Sequence, residues 1–249
     1  MRSSNPYLRE AALRKASQSE ARTGEFMTIN GTLNKISLLL LVVAGCATIT
    51  WNQVMSGSLA SANAGAWMIG GSLGALALSL VISFRPNLAP VLAIPFAVCE
   101  GLLLGAVSAM YQSLYSGIVL NAILLTIGVS LAMFLLWRSG LVPITDKFRS
   151  VLVSCMGAIF LVYLATFVLG FFGVSIPFIH SNGIIGIAFS GLVLVVVSLM
   201  LMVDFDMIQK LSQSSVPKSM EWYGAFALLV TLVWLYLELL RLLSKLNRN

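Results

Sequence analysis

Four acidic residues lie within or at the ends of long apolar stretches of the chain, where a charge is costly. They are Glu100, Asp204, Asp206 and Glu238. A charged side chain near the centre of a lipid bilayer costs at least about 2.5–3.5 kcal/mol, so such residues are candidates for a functional site. Ionised carboxylates suit Ca²⁺, and burial disfavours their charged form, so that pH can switch them. These residue types therefore predict cation passage or proton sensing.

The depth of each acid follows from the rise of a helix. Glu100 is expected about 17 Å from the side that we assign to the cytoplasm, and Glu238 about 22 Å from the same side. The two could line one path if their helices touch. Asp206 is expected near the cytoplasmic end of its helix, whereas Asp204 either lies deeper on another face or extends to the interface. This spacing predicts two acidic tiers.

Each acid also has a simple structural interpretation. Asp206 is four residues before Lys210, and Glu238 is three residues before Arg241. Both spacings favour an ion pair on one helix face. Glu100 has no basic residue near it in sequence, so its structural alternative is a neutral, hydrogen-bonded carboxyl group in the core.

The composition shows which elements must position these residues. The 249 residues are 59% hydrophobic and 10% charged, with a mean hydropathy of +0.96, whereas an average soluble domain is about 25% charged. Seven apolar runs are long enough to cross a bilayer as helices. These runs cover 36–54, 67–84, 89–110, 118–137, 150–172, 184–206 and 223–243. We therefore predict an all-α membrane protein with one seven-helix domain at 31–249, preceded by a polar tail at 1–30.

Basic residues predict the orientation. Twelve of the 15 Lys and Arg residues lie before the first span or in the second, fourth and sixth loops. By the positive-inside rule, these segments and the amino terminus face the cytoplasm. The last three basic residues are Arg241, Lys245 and Arg248. Seven crossings, which we favour, place them outside against the rule, so that packing holds the last helix despite its charges; the alternative is a re-entrant helix.

Two segments resemble a known family. The stretch from Val203 to Lys210, followed by Met220 to Leu243, resembles the end of the Bax inhibitor-1/YccA family, in a bacterial branch. The stretch from Cys99 to Gly105 resembles the Glu-Gly motif in that family's third helix. The resemblance implies that helix seven is central among three helical hairpins. It also implies a pH-sensitive Ca²⁺ leak in the inner membrane, closed by an aspartate pair between helices six and seven.

The resemblance carries over only in part to this chain. It assigns one carboxylate of that latch to Asp206, and it places the partner position at Thr231, which cannot share a proton as a second acid. Asp204 is a candidate to compensate, although its spacing points it elsewhere. Arg85 is a candidate for the basic residue near the latch. Asp206 and Glu100 are the candidate Ca²⁺ ligands.

Other classes of protein fit less well. Basic residues are not clustered, which argues against a nucleic-acid partner. Ala188-Phe-Ser-Gly191 lacks the first glycine of an intramembrane serine protease motif, and His180 lies in a loop. We therefore expect no enzyme and no cofactor, with Ca²⁺ as a transported ion. The alternative is a non-conducting regulatory protein that binds a membrane partner such as a protease.

Overall fold

The computed structural model describes residues 26–57, 61–171 and 183–247. Within these ranges the chain forms seven α-helices and no β-sheet. They are α1 (Ile29–Met55), α2 (Ser61–Phe84), α3 (Ala89–Leu114), α4 (Ile118–Arg138), α5 (Asp146–Phe171), α6 (Ile184–Gln213) and α7 (Met220–Leu246). Each contains a segment long and apolar enough to cross a membrane. The predicted all-α fold with seven transmembrane helices is therefore confirmed.

The helices extend beyond the apolar runs. The first run begins at residue 36, but α1 begins at Ile29, where Thr28 caps it by accepting a hydrogen bond from the Gly31 amide at 2.9 Å. The sixth run ends at residue 206, but α6 continues to Gln213. Hydropathy marks only the part of a helix that lies in hydrocarbon, because backbone hydrogen bonding continues past the lipid boundary.

The last part of the predicted polar tail is packed against the connection between α6 and α7. Residues 1–25 lie outside the described ranges. Phe26 forms an antiparallel bridge with Pro217, and the Met27 amide donates to the Val216 carbonyl at 2.9 Å. Met27 is only 3% exposed. The segment just before α1 is therefore part of the folded protein.

The chain divides into two compact units. Unit 1 comprises Met1–Ser113 and Met207–Val230, and unit 2 comprises Leu114–Asp206 and Thr231–Asn249. In unit 1, glycines allow the helix backbones to approach closely. A Cβ atom added to Gly101 or Gly105 would lie under 3.0 Å from backbone atoms of α1. The sequence pattern Gly101-xxx-Gly105 thus marks a helix contact.

A second pattern of small residues in the sequence, Gly70-xxx-Gly74, marks a contact only in part. Gly74 of α2 faces the Cys99 sulfur of α3, but Gly70 has open space around its Cα atom. Gly71 makes the closer approach, because its added Cβ would lie 2.9 Å from the Cys99 carbonyl oxygen. Gly71 and Gly74, three residues apart, therefore form the contact face of α2, and Gly70 is not part of it.

Aromatic rings pack around the acidic end of α6 in unit 2. The Phe205 ring lies 5.4 Å from that of Phe134 and 5.8 Å from that of Trp137, both in the last turns of α4. Edge-to-face and tilted arrangements of this kind stabilise a contact beyond simple burial. They fix the rotation of α6 just where Asp204 and Asp206 flank Phe205.

The outer surface of the described helices is apolar. Large side chains such as Leu41, Phe84 and Ile184 are 71%, 82% and 87% exposed. Such a surface would aggregate in water, but lipid tails solvate it. The helices differ in how much of their length is buried. Half of the most apolar window is buried in α3 and in α7, but only 11% in α4. The protein is thus a multi-pass membrane protein in contact with the bilayer, and α3 and α7 contribute much of its interior.

Candidate functional site

Three of the four acids selected from the sequence belong to unit 2. Asp204 and Asp206 lie in the second half of α6, and Glu238 lies in the second half of α7. Asp204 and Glu238 are buried, at 3% and 1% exposure, and Asp206 is half-buried. Each carboxylate has a different polar partner, so these acids do not form one common cluster of oxygens.

Asp204 is paired with Thr231 across α6 and α7. The Thr231 hydroxyl donates a hydrogen bond of 2.6 Å to the Asp204 carboxylate, and both side chains are buried. Asp204 forms no salt bridge within the described residues. The expectation that Asp204 points away from the latch position was therefore wrong, because this acid is hydrogen-bonded to Thr231. The rotation of α6 about Phe205 decides which of the two acids faces α7.

Asp206 is bound by a base from another helix. The Arg149 guanidinium, in the first turns of α5, forms a salt bridge and a hydrogen bond with the Asp206 carboxylate. The Nε atom of Arg149 is buried and has no hydrogen-bond partner within the described residues. Arg149 was not selected from the sequence, because 57 residues separate it from Asp206. Arg85 is exposed in unit 1, and its role as a latch base stays a prediction.

Glu238 is held by a tyrosine and an arginine. The Tyr163 hydroxyl donates to its Oε2 atom at 2.9 Å, and Arg241 forms a salt bridge with the same atom at 2.8 Å. The Arg241 guanidinium also lies over the Tyr163 ring, 4.4 Å from its centroid. The predicted pair at i, i+3 is thus confirmed. The other oxygen of Glu238 is buried without a hydrogen-bond partner in the described part of the chain.

Glu100 belongs to unit 1. It lies in the middle of α3, next to the close contact between Gly101 and α1. Its Oε2 atom is buried and lacks a hydrogen-bond partner among the described residues. No group of three or more His, Cys, Asp or Glu side chains that could hold a metal ion occurs in the described ranges. The role of Glu100 and Asp206 as Ca²⁺ ligands stays a prediction.

Two further buried charges were not selected from the sequence. Glu221, in the first turn of α7, is 1% exposed and accepts hydrogen bonds from the Thr28 amide and hydroxyl, both at 2.9 Å, besides pairing with Lys35. Lys245, in the last turn of α7, is 4% exposed. Their positions at helix ends are typical of solvated charges. Both placements suit the helix dipole, which favours an acid in the first turn and a base in the last, but this signal does not indicate burial.

The fold and these polar pairs define a class: a seven-helix membrane protein with partnered carboxylates in its interior. A family model described as Bax inhibitor 1 like matches residues 5–248. The chain therefore belongs to the Bax inhibitor-1-like family. Searches of curated proteins and of solved structures gave no match.

Proposed function

We propose that the protein is a pH-sensitive cation leak or exchanger of a bacterial inner membrane, with Ca²⁺ as the favoured ion. Its amino terminus faces the cytoplasm in this proposal. The gate is the contact between Asp204 of α6 and Thr231 of α7. The observation that carries the proposal is a buried carboxylate held by one hydroxyl group, with no salt bridge in the described residues.

This contact has the properties that a proton-sensitive gate needs. Burial penalises an isolated negative charge, so such a carboxylate is neutralised by a proton or by a bound cation. Proton and cation then compete for the same oxygens. A hydroxyl hydrogen bond costs far less to break than a buried ion pair, so α6 and α7 can separate at this point without stranding a second charge.

The neighbouring carboxylates support a role in cation passage. Asp206 lies two residues from Asp204, and Glu238 lies seven residues, or about 10 Å along the helix, from Thr231. Their ion pairs with Arg149 and Arg241 neutralise them at rest. Carboxylate oxygens are the ligands that Ca²⁺ prefers. Family membership favours the same ion, because the resemblance implies a Ca²⁺ leak.

The test is Ca²⁺ flux into liposomes that contain the purified protein, at about pH 6 and about pH 8, compared with empty liposomes. We expect higher flux at the higher pH, because an ionised Asp204 attracts cations and a protonated one does not. Asp204→Asn keeps the shape and can still accept the Thr231 hydrogen bond, but it cannot titrate. This variant should lose the pH dependence.

Asp146→Asn is the matched control, because Asp146 is an exposed acid at the start of α5. It should conduct like the wild type at both pH values. Equal pH dependence in wild type and Asp204→Asn would show that Asp204 is not part of the gate. Absence of protein-dependent flux at both pH values would reject conduction and favour a regulatory protein that binds a membrane partner; co-purification of membrane proteins would then follow.

A further inference from the structure

The last turn of α7 inserts a lysine into the first turns of α6, all within unit 2. The Lys245 Nζ atom donates to the Gly186 carbonyl at 2.8 Å and to the Ser190 hydroxyl at 2.9 Å. Lys245 is 4% exposed and Ser190 is fully buried. An ammonium group is rarely buried unless its N–H groups are bonded, so these oxygens are a matched partner set for a positive charge.

The oxygens around Lys245 are of the kind that bind a free monovalent cation. Backbone carbonyls replace the hydration shell of such ions in channels, and a hydroxyl oxygen offers the same type of lone pair. Gly186 and Ser190 are four residues apart, so both project from one face of α6. The Gly186 carbonyl accepts the lysine through its second lone pair, which helical hydrogen bonding leaves available.

An ion pair lies on the same face of α7 as Lys245. Glu238, Arg241 and Lys245 follow the i, i+3, i+7 spacing of one helix face. Arg241 pairs with the Glu238 carboxylate at 2.8 Å. Glu238 is 1% exposed, and its Oε1 atom is buried without a hydrogen-bond partner in the described residues. The carboxylate of this ion pair therefore keeps one unpartnered oxygen, on a residue about two helical turns before Lys245.

We propose that Gly186 and Ser190 form a site for a small monovalent cation, which Lys245 occupies as a tethered cation. While the ammonium is in place, it closes the cation route at this end of unit 2, because a second cation meets both the occupied oxygens and a positive charge. The closure rests on the proposed function; the site itself does not.

The site is tested by chemical rescue. Lys245→Ala removes the side chain beyond Cβ, and n-propylammonium supplies the same three carbons and the ammonium group. We expect the variant to unfold at a lower temperature than the wild type and n-propylammonium to restore the loss. Neither n-propanol, which lacks the charge, nor choline, which lacks N–H donors, should do so. Lys147→Ala, at an exposed lysine of α5, should neither lose stability nor respond.

Flux into liposomes tests the closure. Loss of each hydrogen bond to a charged group corresponds to at least about a tenfold change in an equilibrium constant, and Lys245→Ala loses two, so this variant should conduct at least about tenfold more than wild type. n-Propylammonium should return the flux to the wild-type value. If n-propylammonium restores the stability of Lys245→Ala but neither the wild type nor any variant conducts, the result would support the site and reject conduction. Flux without rescue would support conduction and overturn the site.

A second variant covers the case in which Lys245→Ala is not recovered as folded protein. Lys245→Met keeps the length of the side chain as far as Cε, with sulfur in place of Cδ, and lacks the ammonium group. Ammonium chloride should then raise its unfolding temperature, whereas tetramethylammonium chloride at the same concentration should not. An equal response to the two salts would overturn the site.

Discussion

Gly31 provides a sharp test of the packing at the start of α1. A Cβ atom at Gly31 would lie under 3.0 Å from the carboxyl carbon and both carboxylate oxygens of Glu221. Those oxygens accept two hydrogen bonds from Thr28, each 2.9 Å long, and pair with Lys35. Gly31→Ala must therefore push the carboxylate away from its partners, and it should destabilise the protein although alanine is the better helix former.

The magnitude follows from the hydrogen bonds that the displaced Glu221 carboxylate can no longer accept. Each hydrogen bond to a charged group contributes about 1.5–3 kcal/mol, so the two bonds from Thr28 contribute about 3–6 kcal/mol. Alanine recovers about 1 kcal/mol of helix propensity. The net loss is about 2–5 kcal/mol. At about 2–4 °C per kcal/mol for a chain of this size, the unfolding temperature in detergent should fall by about 4–20 °C.

Gly45→Ala is the matched control in the same helix. Nothing lies within 4 Å of a Cβ atom at Gly45, so this variant should be as stable as wild type or more stable by up to about 1 kcal/mol. In a Glu221→Ala background the steric conflict disappears, and Gly31→Ala should cost much less. The reasoning is refuted if Gly31→Ala unfolds at or above the wild-type temperature, or if it costs the same in both backgrounds.

Two further substitutions test other contacts by thermal unfolding. Gly105→Ala would place a Cβ atom under 3.0 Å from the Ala47 carbonyl oxygen, so it should destabilise the α1–α3 contact by about 1–3 kcal/mol. Gly128→Ala is the control, because a Cβ atom there lies in open space and should not destabilise the protein. Equal stability of the two variants would contradict this prediction. Tyr163→Phe removes a donor from the buried Glu238 carboxylate and should cost about 1–3 kcal/mol, and an unchanged unfolding temperature would show that this bond is not needed.

Features that depend on local sequence could be predicted. Seven helices follow from apolar length alone, because lipid leaves a backbone no other way to satisfy its hydrogen bonds. The Glu238–Arg241 pair follows from spacing within one helix. The Gly101-xxx-Gly105 contact also follows from a local pattern, although a pattern of this kind does not name the partner helix.

Features that depend on helix rotation and on distant contacts could not be predicted. Periodicity does not show whether Asp204 or Asp206 faces Thr231, since a change of two residues turns the side chain by more than half a helical turn. Rings from α4, packed on Phe205, contribute to that rotation. The Arg149–Asp206 pair joins positions 57 residues apart, and no local signal brings them together.

The hydrogen bonds between Thr28 and Glu221 have a consequence for the order in which the protein assembles. These residues are 193 positions apart, so the first transmembrane helix emerges from the ribosome long before its partner. Until the seventh helix is inserted, the start of the first lacks its carboxylate and Lys35 lacks its counter-charge. A chain truncated before Glu221 therefore leaves Thr28 and Lys35 without this carboxylate partner, so the packing at the start of α1 is completed only late in synthesis.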